Sequence, residues 1–134
     1  MIEALMNSHE LTIYSWGALG VLLLVQLLIA DVIGITSKHT PGTSPEANHG
    51  NALFRATRTV ANTNESIAIY LVLVLFCIFN GADATLTGYL SWAYVAGRSI
   101  YALCYYFNQR TMRSITFGVT LLVLIGMLVV GLIA

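Results

Sequence analysis

The sequence predicts an all-α fold, a bundle of four membrane-spanning helices, and three observations carry that prediction. Hydrophobic residues make up 57% of the 134 positions and charged residues only 9%, against about 25% charged in a soluble domain. The apolar residues fall into four long runs, separated by short connections rich in Pro, Gly, Asn and Asp. Within two of those runs the few polar residues recur at helical spacing and so share a face. The length suits a single membrane domain, residues 1–134. A formal net charge of zero argues against nucleic-acid binding.

The first run, residues 11–35, is interrupted only by Gln26 and Asp31 and is long enough to cross about 30 Å of hydrocarbon. No basic segment precedes it, since the first Lys or Arg is Lys38, so it is expected to be a retained span and not a cleaved leader. Residues 36–50 hold Pro41, Gly42, Pro45 and Gly50 and form the one long loop. His39 and His49 are expected to be solvated there. The second helix is placed at 51–79, with a polar first half and an apolar second half, and Asn80 to Asp83 make a tight turn. The third helix is placed at 86–107 and the fourth at 112–134, joined by a short turn at Asn108 to Arg110. Short connections make consecutive helices antiparallel, and in lipid each must satisfy its own backbone hydrogen bonds. Cys77 and Cys104 lie in apolar surroundings without the neighbours of a metal-ligand set, so both read as packing residues and no metal is expected.

Basic residues flank the first and third connections (Lys38, Arg55, Arg58; Arg110, Arg113), whereas the termini and the second connection have none. The positive-inside rule then puts both termini on the outer side and those two connections in the cytoplasm. The expectation is a multi-pass protein of the cell inner membrane. Tyr14, Trp16, Tyr89 and Trp92 serve as aromatic anchors at the outer interface.

Arg55, Arg58, Asn62 and Glu65 fall within an arc of about 80° on the second helix, and Tyr94, Arg98, Tyr101 and Tyr105 within about 60° on the third. An ionised side chain near a helix centre in lipid costs at least about 2.5–3.5 kcal/mol, so such stripes mark a site and need partners. Counted at about 1.5 Å per residue from ends near Thr57 and Phe107, Glu65 and Arg98 lie at similar depth, which suggests an Arg98–Glu65 ion pair. Arg55 and Arg58 then face the same cavity as Tyr101 and Tyr105, with Arg113 at the head of the fourth helix. A surplus of guanidinium beside one carboxylate suits a ligand carrying carboxylates and an ammonium group.

The motifs Arg55-x-x-Arg58-x-x-x-Asn62-x-x-Glu65, Arg98-x-x-Tyr101-x-x-x-Tyr105 and Arg110-Thr-Met-Arg113-Ser114 resemble the MAPEG family, the membrane-associated proteins in eicosanoid and glutathione metabolism, and the microsomal glutathione transferases within it. The similarity covers essentially the whole chain. It implies a homotrimer in the lipid bilayer with glutathione, a co-substrate, held between neighbouring subunits near the cytoplasmic face. Arg55, Arg58, Asn62, Glu65, Tyr101, Tyr105 and Ser114 would bind glutathione, and Arg98 would be the internal partner of Glu65. Arg113, with Arg110 as its rival, would stabilise the thiolate that attacks a lipophilic electrophile or hydroperoxide. Ile69 stands where the family often has a proline that kinks the helix. The family also contains a lipid-binding branch without glutathione chemistry, so a non-catalytic lipid-binding scaffold is the alternative function.

Overall fold

Helix boundaries follow local chemistry throughout residues 1–134, all of which the computed structural model describes. Five helices form: α1 (Ile2–Ser8), α2 (Glu10–Thr36), α3 (Ala52–Phe79), α4 (Ala84–Tyr106) and α5 (Arg110–Leu132), with no strand. The Asn51 side chain accepts from the Leu53 amide at 2.9 Å and starts α3, and Asp83 accepts from the Leu86 amide at 2.6 Å and starts α4. Both caps satisfy amides that the first helical turn leaves free. The turns after α3 and α4 each need a left-handed residue. Gly81 supplies it at φ 76° and Asn108 at φ 55°, the residue types that reach this region most readily.

The four long helices lie within two residues of their expected limits, and α1 is an addition. His9, at φ −104° and ψ 20°, separates α1 from α2; a seven-residue mixture of polar and apolar side chains has too little periodicity to announce itself. α3 runs unbroken through Ile69, as expected where no proline removes a backbone donor.

In the packed arrangement α3 and α4 form the middle, each flanked by α2 and by α5. The Trp92 indole donates to the Leu11 carbonyl at 3.0 Å, which puts the starts of α2 and α4 at one end. At the same end Asn80 donates to the Gly131 carbonyl at 2.6 Å, joining the ends of α3 and α5. The loop 37–51 and the α4–α5 turn therefore share the opposite end, where the arginines are.

Tyr70 and Tyr94 stack at the centre, 4.1 Å between centroids and 5° between planes, among Leu19, Val74, Cys77, Val95, Leu124 and Met127. Each hydroxyl has a partner, Ser15 at 3.1 Å for Tyr70 and Ser66 at 2.8 Å for Tyr94, as buried phenols require. Outward faces are apolar: Leu24, Leu28, Val72 and Leu122 are all exposed. α2, α3 and α5 are long and apolar enough to cross a membrane. α4 does not meet that measure, carrying Arg98 and five of the seven tyrosines.

Candidate functional site

The inner stripe of α3 is Ala56, Thr59, Thr63, Tyr70, Val74 and Cys77, all buried. Asn62 lies about 100° to one side of Thr63, and Glu65 about 200° away from it. This rotation decides who meets Arg98. The Arg98 side chain, 1% exposed, donates from Nη2 to Asn62 Oδ1 at 2.6 Å and to Thr63 Oγ1 at 3.3 Å. Its guanidinium lies 4.3 Å from the centroid of the Tyr101 ring, a cation–π contact.

The expected Arg98–Glu65 ion pair is therefore corrected. Glu65 pairs instead with Arg58, Nη1 to Oε1 at 3.6 Å, because seven residues bring the two back to within about 20° on the same helix. Asn62 links the two groups, its carbonyl toward Arg98 and its amide toward Glu65 Oε2 at 3.4 Å. Similar depth without matching rotation does not make a pair.

A second knot of side chains continues from the first. Tyr101 meets Tyr105 edge-on at 5.6 Å, and the Arg113 guanidinium lies 4.4 Å from the Tyr105 centroid. Arg110 is exposed and makes no such contact, so of the two rivals Arg113 is the one that the fold turns toward the tyrosines. Ser114 is exposed and its hydroxyl returns to the Arg110 carbonyl at 3.2 Å within its own helix. Arg55 reaches back to the loop and donates to the His49 carbonyl at 2.7 Å.

His49 is the member of this cluster that sequence reasoning missed, and the expectation that it is a solvated loop residue is corrected. It is half-buried, stacks on Tyr105 at 6.0 Å and 20°, and meets Phe54 edge-on at 5.1 Å. Its Nε2 is 3.5 Å from the Tyr105 hydroxyl. Lost hydration, followed by the positive charges of Arg113, Arg110, Arg55 and Arg58, holds its pKa below the usual histidine value. The available signal was its place two residues before the Asn51 cap, on a loop that α3 pulls against the cluster.

A cavity of about 150 Å³ opens between α3 and α5 beside the first knot, lined by Asn62, Glu65, Ser66 and Arg98 together with Ile69, Phe117, Leu121 and Leu124. One end is polar and the other apolar. Arg55 Nε, Arg98 Nε and Arg113 Nη1 are buried without acceptors. All three are donors, which makes the region deficient in anionic oxygen. No three His, Cys, Asp or Glu side chains converge to hold a metal.

Among curated proteins and solved structures no match is found. The family model described as the MAPEG family matches residues 12–133. With three helices of membrane-crossing length and a match over nearly its whole length, the chain is an integral membrane protein and belongs to the MAPEG family.

Proposed function

We propose that this protein is a glutathione-dependent transferase or peroxidase acting on lipophilic electrophiles. In this reading α4 is a fourth span and both termini lie outside. Three copies assemble, and the arginine cluster faces the cytoplasm of a cell whose inner membrane holds the protein. The observation that carries the reading is the set of buried guanidinium donors without acceptors, on Arg55, Arg98 and Arg113, taken together with the Arg58–Glu65 pair. Two carboxylates and one ammonium group, the charges of glutathione, complement that set.

Glutathione, when bound, would supply a thiolate that bonds to an electrophilic carbon as a leaving group such as chloride departs, or to one oxygen of a hydroperoxide as the O–O bond breaks and the alcohol leaves with a proton, a second glutathione then giving the disulfide and water. Arg58 and Arg55 offer bidentate donors to its carboxylates, and Glu65 offers an acceptor to its ammonium group. Asn62, fixed by Arg98, holds Glu65 in place. Tyr101 and Tyr105, just outside the cavity lining, keep Arg98 and Arg113 aimed across their rings. Arg113 places positive charge beside the sulfur, so the S–H proton leaves to solvent and the thiolate is the favoured form at neutral pH. The apolar end of the cavity, Ile69, Phe117, Leu121 and Leu124, receives the acceptor from the bilayer.

The same apolar lining favours the second reading, a lipid-binding scaffold. Glutathione titration of the detergent-purified protein, followed by conjugation with a chlorinated nitrobenzene, separates the two. The enzyme reading predicts saturable binding lost in Arg58→Ala and turnover lost in Arg113→Ala. Saturable lipid binding with no response to glutathione would replace it with the scaffold.

A further inference from the structure

The Tyr105 ring is shared by two groups of opposite habit. One is a permanent cation, Arg113, 4.4 Å from the centroid; the other is a titratable imidazole, His49, stacked at 6.0 Å with Nε2 3.5 Å from the phenol oxygen. The loop that carries His49 is pinned by Arg55, which donates to the His49 carbonyl at 2.7 Å, and the ring is held by Phe54 at 5.1 Å. The imidazole is thus fixed among the groups that bind and activate a ligand, without belonging to any helix.

The charges that hold the imidazole pKa down are all positive. Arg55 and Arg58 act from α3 and Arg110 and Arg113 from α5, while Tyr105 of α4 presents a neutral phenol. A proton on His49 adds a fifth positive charge to this group and is resisted. Anionic oxygens placed among the same guanidiniums reverse the local balance and make that proton welcome.

We propose that His49 is a positioning residue of the site that couples binding of an anionic peptide ligand to uptake of a proton, resting on the glutathione reading above. In the free protein the neutral imidazole accepts from the Tyr105 hydroxyl and keeps that ring in register with Arg113. When carboxylates enter the cluster, the imidazole binds a proton from solvent and contributes its own charge to holding them. The sign follows from linkage. The free-state pKa is depressed, ligand anions raise it, and binding therefore takes up protons between the two midpoints. Affinity tightens as pH falls through that window.

S-methylglutathione is the probe, because it keeps both carboxylates and the ammonium group but has no thiol proton to confuse the count. Calorimetric titration of the full-length protein in detergent, in buffers of different ionisation enthalpy near pH 6.5, measures the protons taken up per ligand. The expected result is net uptake by the wild type that is abolished in His49→Gln and His49→Phe and unchanged in His39→Gln. The phenylalanine variant keeps the stack and so separates titration from packing. Nuclear magnetic resonance of the histidine rings in the wild type gives a second readout that needs no variant. His49 should titrate below the usual histidine value in the free protein and move up when S-methylglutathione is added. Binding with equal proton uptake in wild type and both His49 variants, or a His49 midpoint unmoved by ligand, overturns the proposal. If the wild type binds neither glutathione nor S-methylglutathione, the proposed function falls and this role falls with it.

Discussion

Replacing Asn62 by alanine should destabilise the protein more than neutralising Glu65. Asn62→Ala removes the acceptor that sits 2.6 Å from a guanidinium only 1% exposed. Hydrogen bonds to charged groups contribute about 1.5–3 kcal/mol, and leaving a buried charge without its acceptor costs at least that. Thr63 at 3.3 Å and the Tyr101 face at 4.3 Å remain to Arg98, which holds the expected loss to about 2–3 kcal/mol. Glu65→Gln, by contrast, breaks a 3.6 Å pair whose side chains are 41% and 59% exposed, a contact worth about 0.2–1 kcal/mol. Unfolding in mixed micelles of rising dodecyl sulfate content, followed by the fluorescence of Trp16 and Trp92, measures both changes. A double-mutant cycle makes the comparison sharper. Arg98→Met should couple to Asn62→Ala by more than about 1 kcal/mol and to Glu65→Gln by less than about 0.5 kcal/mol. Equal destabilisation by the two single substitutions, or strong coupling between Arg98 and Glu65, would restore the direct ion pair and refute the bridged arrangement.

Three further outcomes are expected. Gly97→Ala would put a Cβ 2.6 Å from Thr120 Oγ1, an overpacking worth about 1–3 kcal/mol, and adding Thr120→Ala should recover most of the loss in the same unfolding assay. Tyr70→Phe removes the hydroxyl 3.1 Å from Ser15 Oγ but keeps the stack on Tyr94; because Ser15 still donates to the Thr12 carbonyl at 2.6 Å, the loss should stay near 1 kcal/mol, about that of one buried hydrogen bond. Arg113→Ala should slow conjugation of a chlorinated nitrobenzene by at least about tenfold, because a thiol pKa returned from below neutral to its ordinary value of about 8.5 leaves only a few per cent of thiolate at neutral pH, whereas Arg110→Ala should leave it nearly unchanged.

Much of the fold was legible because lipid leaves few options. Runs of apolar residues long enough to span had to be helices, and Asn51, Asp83, Gly81 and Asn108 marked the breaks by their own chemistry. α1 was hidden, since seven residues of mixed polarity carry neither a period nor a length that lipid imposes. Spacing put Arg58, Asn62 and Glu65 on one stripe of α3 and Arg98, Tyr101 and Tyr105 on one stripe of α4, two stripes that side-chain contacts join in the structure. It could not give the roll of α3 about its own axis, and that roll sends Glu65 to Arg58 and leaves Asn62 and Thr63 for Arg98. The buried threonines, Thr59 and Thr63, were the readable sign of which face turns inward. His49 was lost for a different reason. A loop residue is placed by what pins the loop, here the Arg55 contact with its carbonyl, and no periodicity reports that.

The central claim, that Arg113 and its neighbours hold glutathione as a thiolate, is tested most directly by ultraviolet difference absorption of the thiolate on titrating the purified protein with glutathione at neutral pH. A saturable thiolate signal should appear with the wild type, and in Arg113→Ala glutathione should still bind while the signal is lost. Binding without any thiolate signal in the wild type, or an undiminished signal in Arg113→Ala, would contradict it.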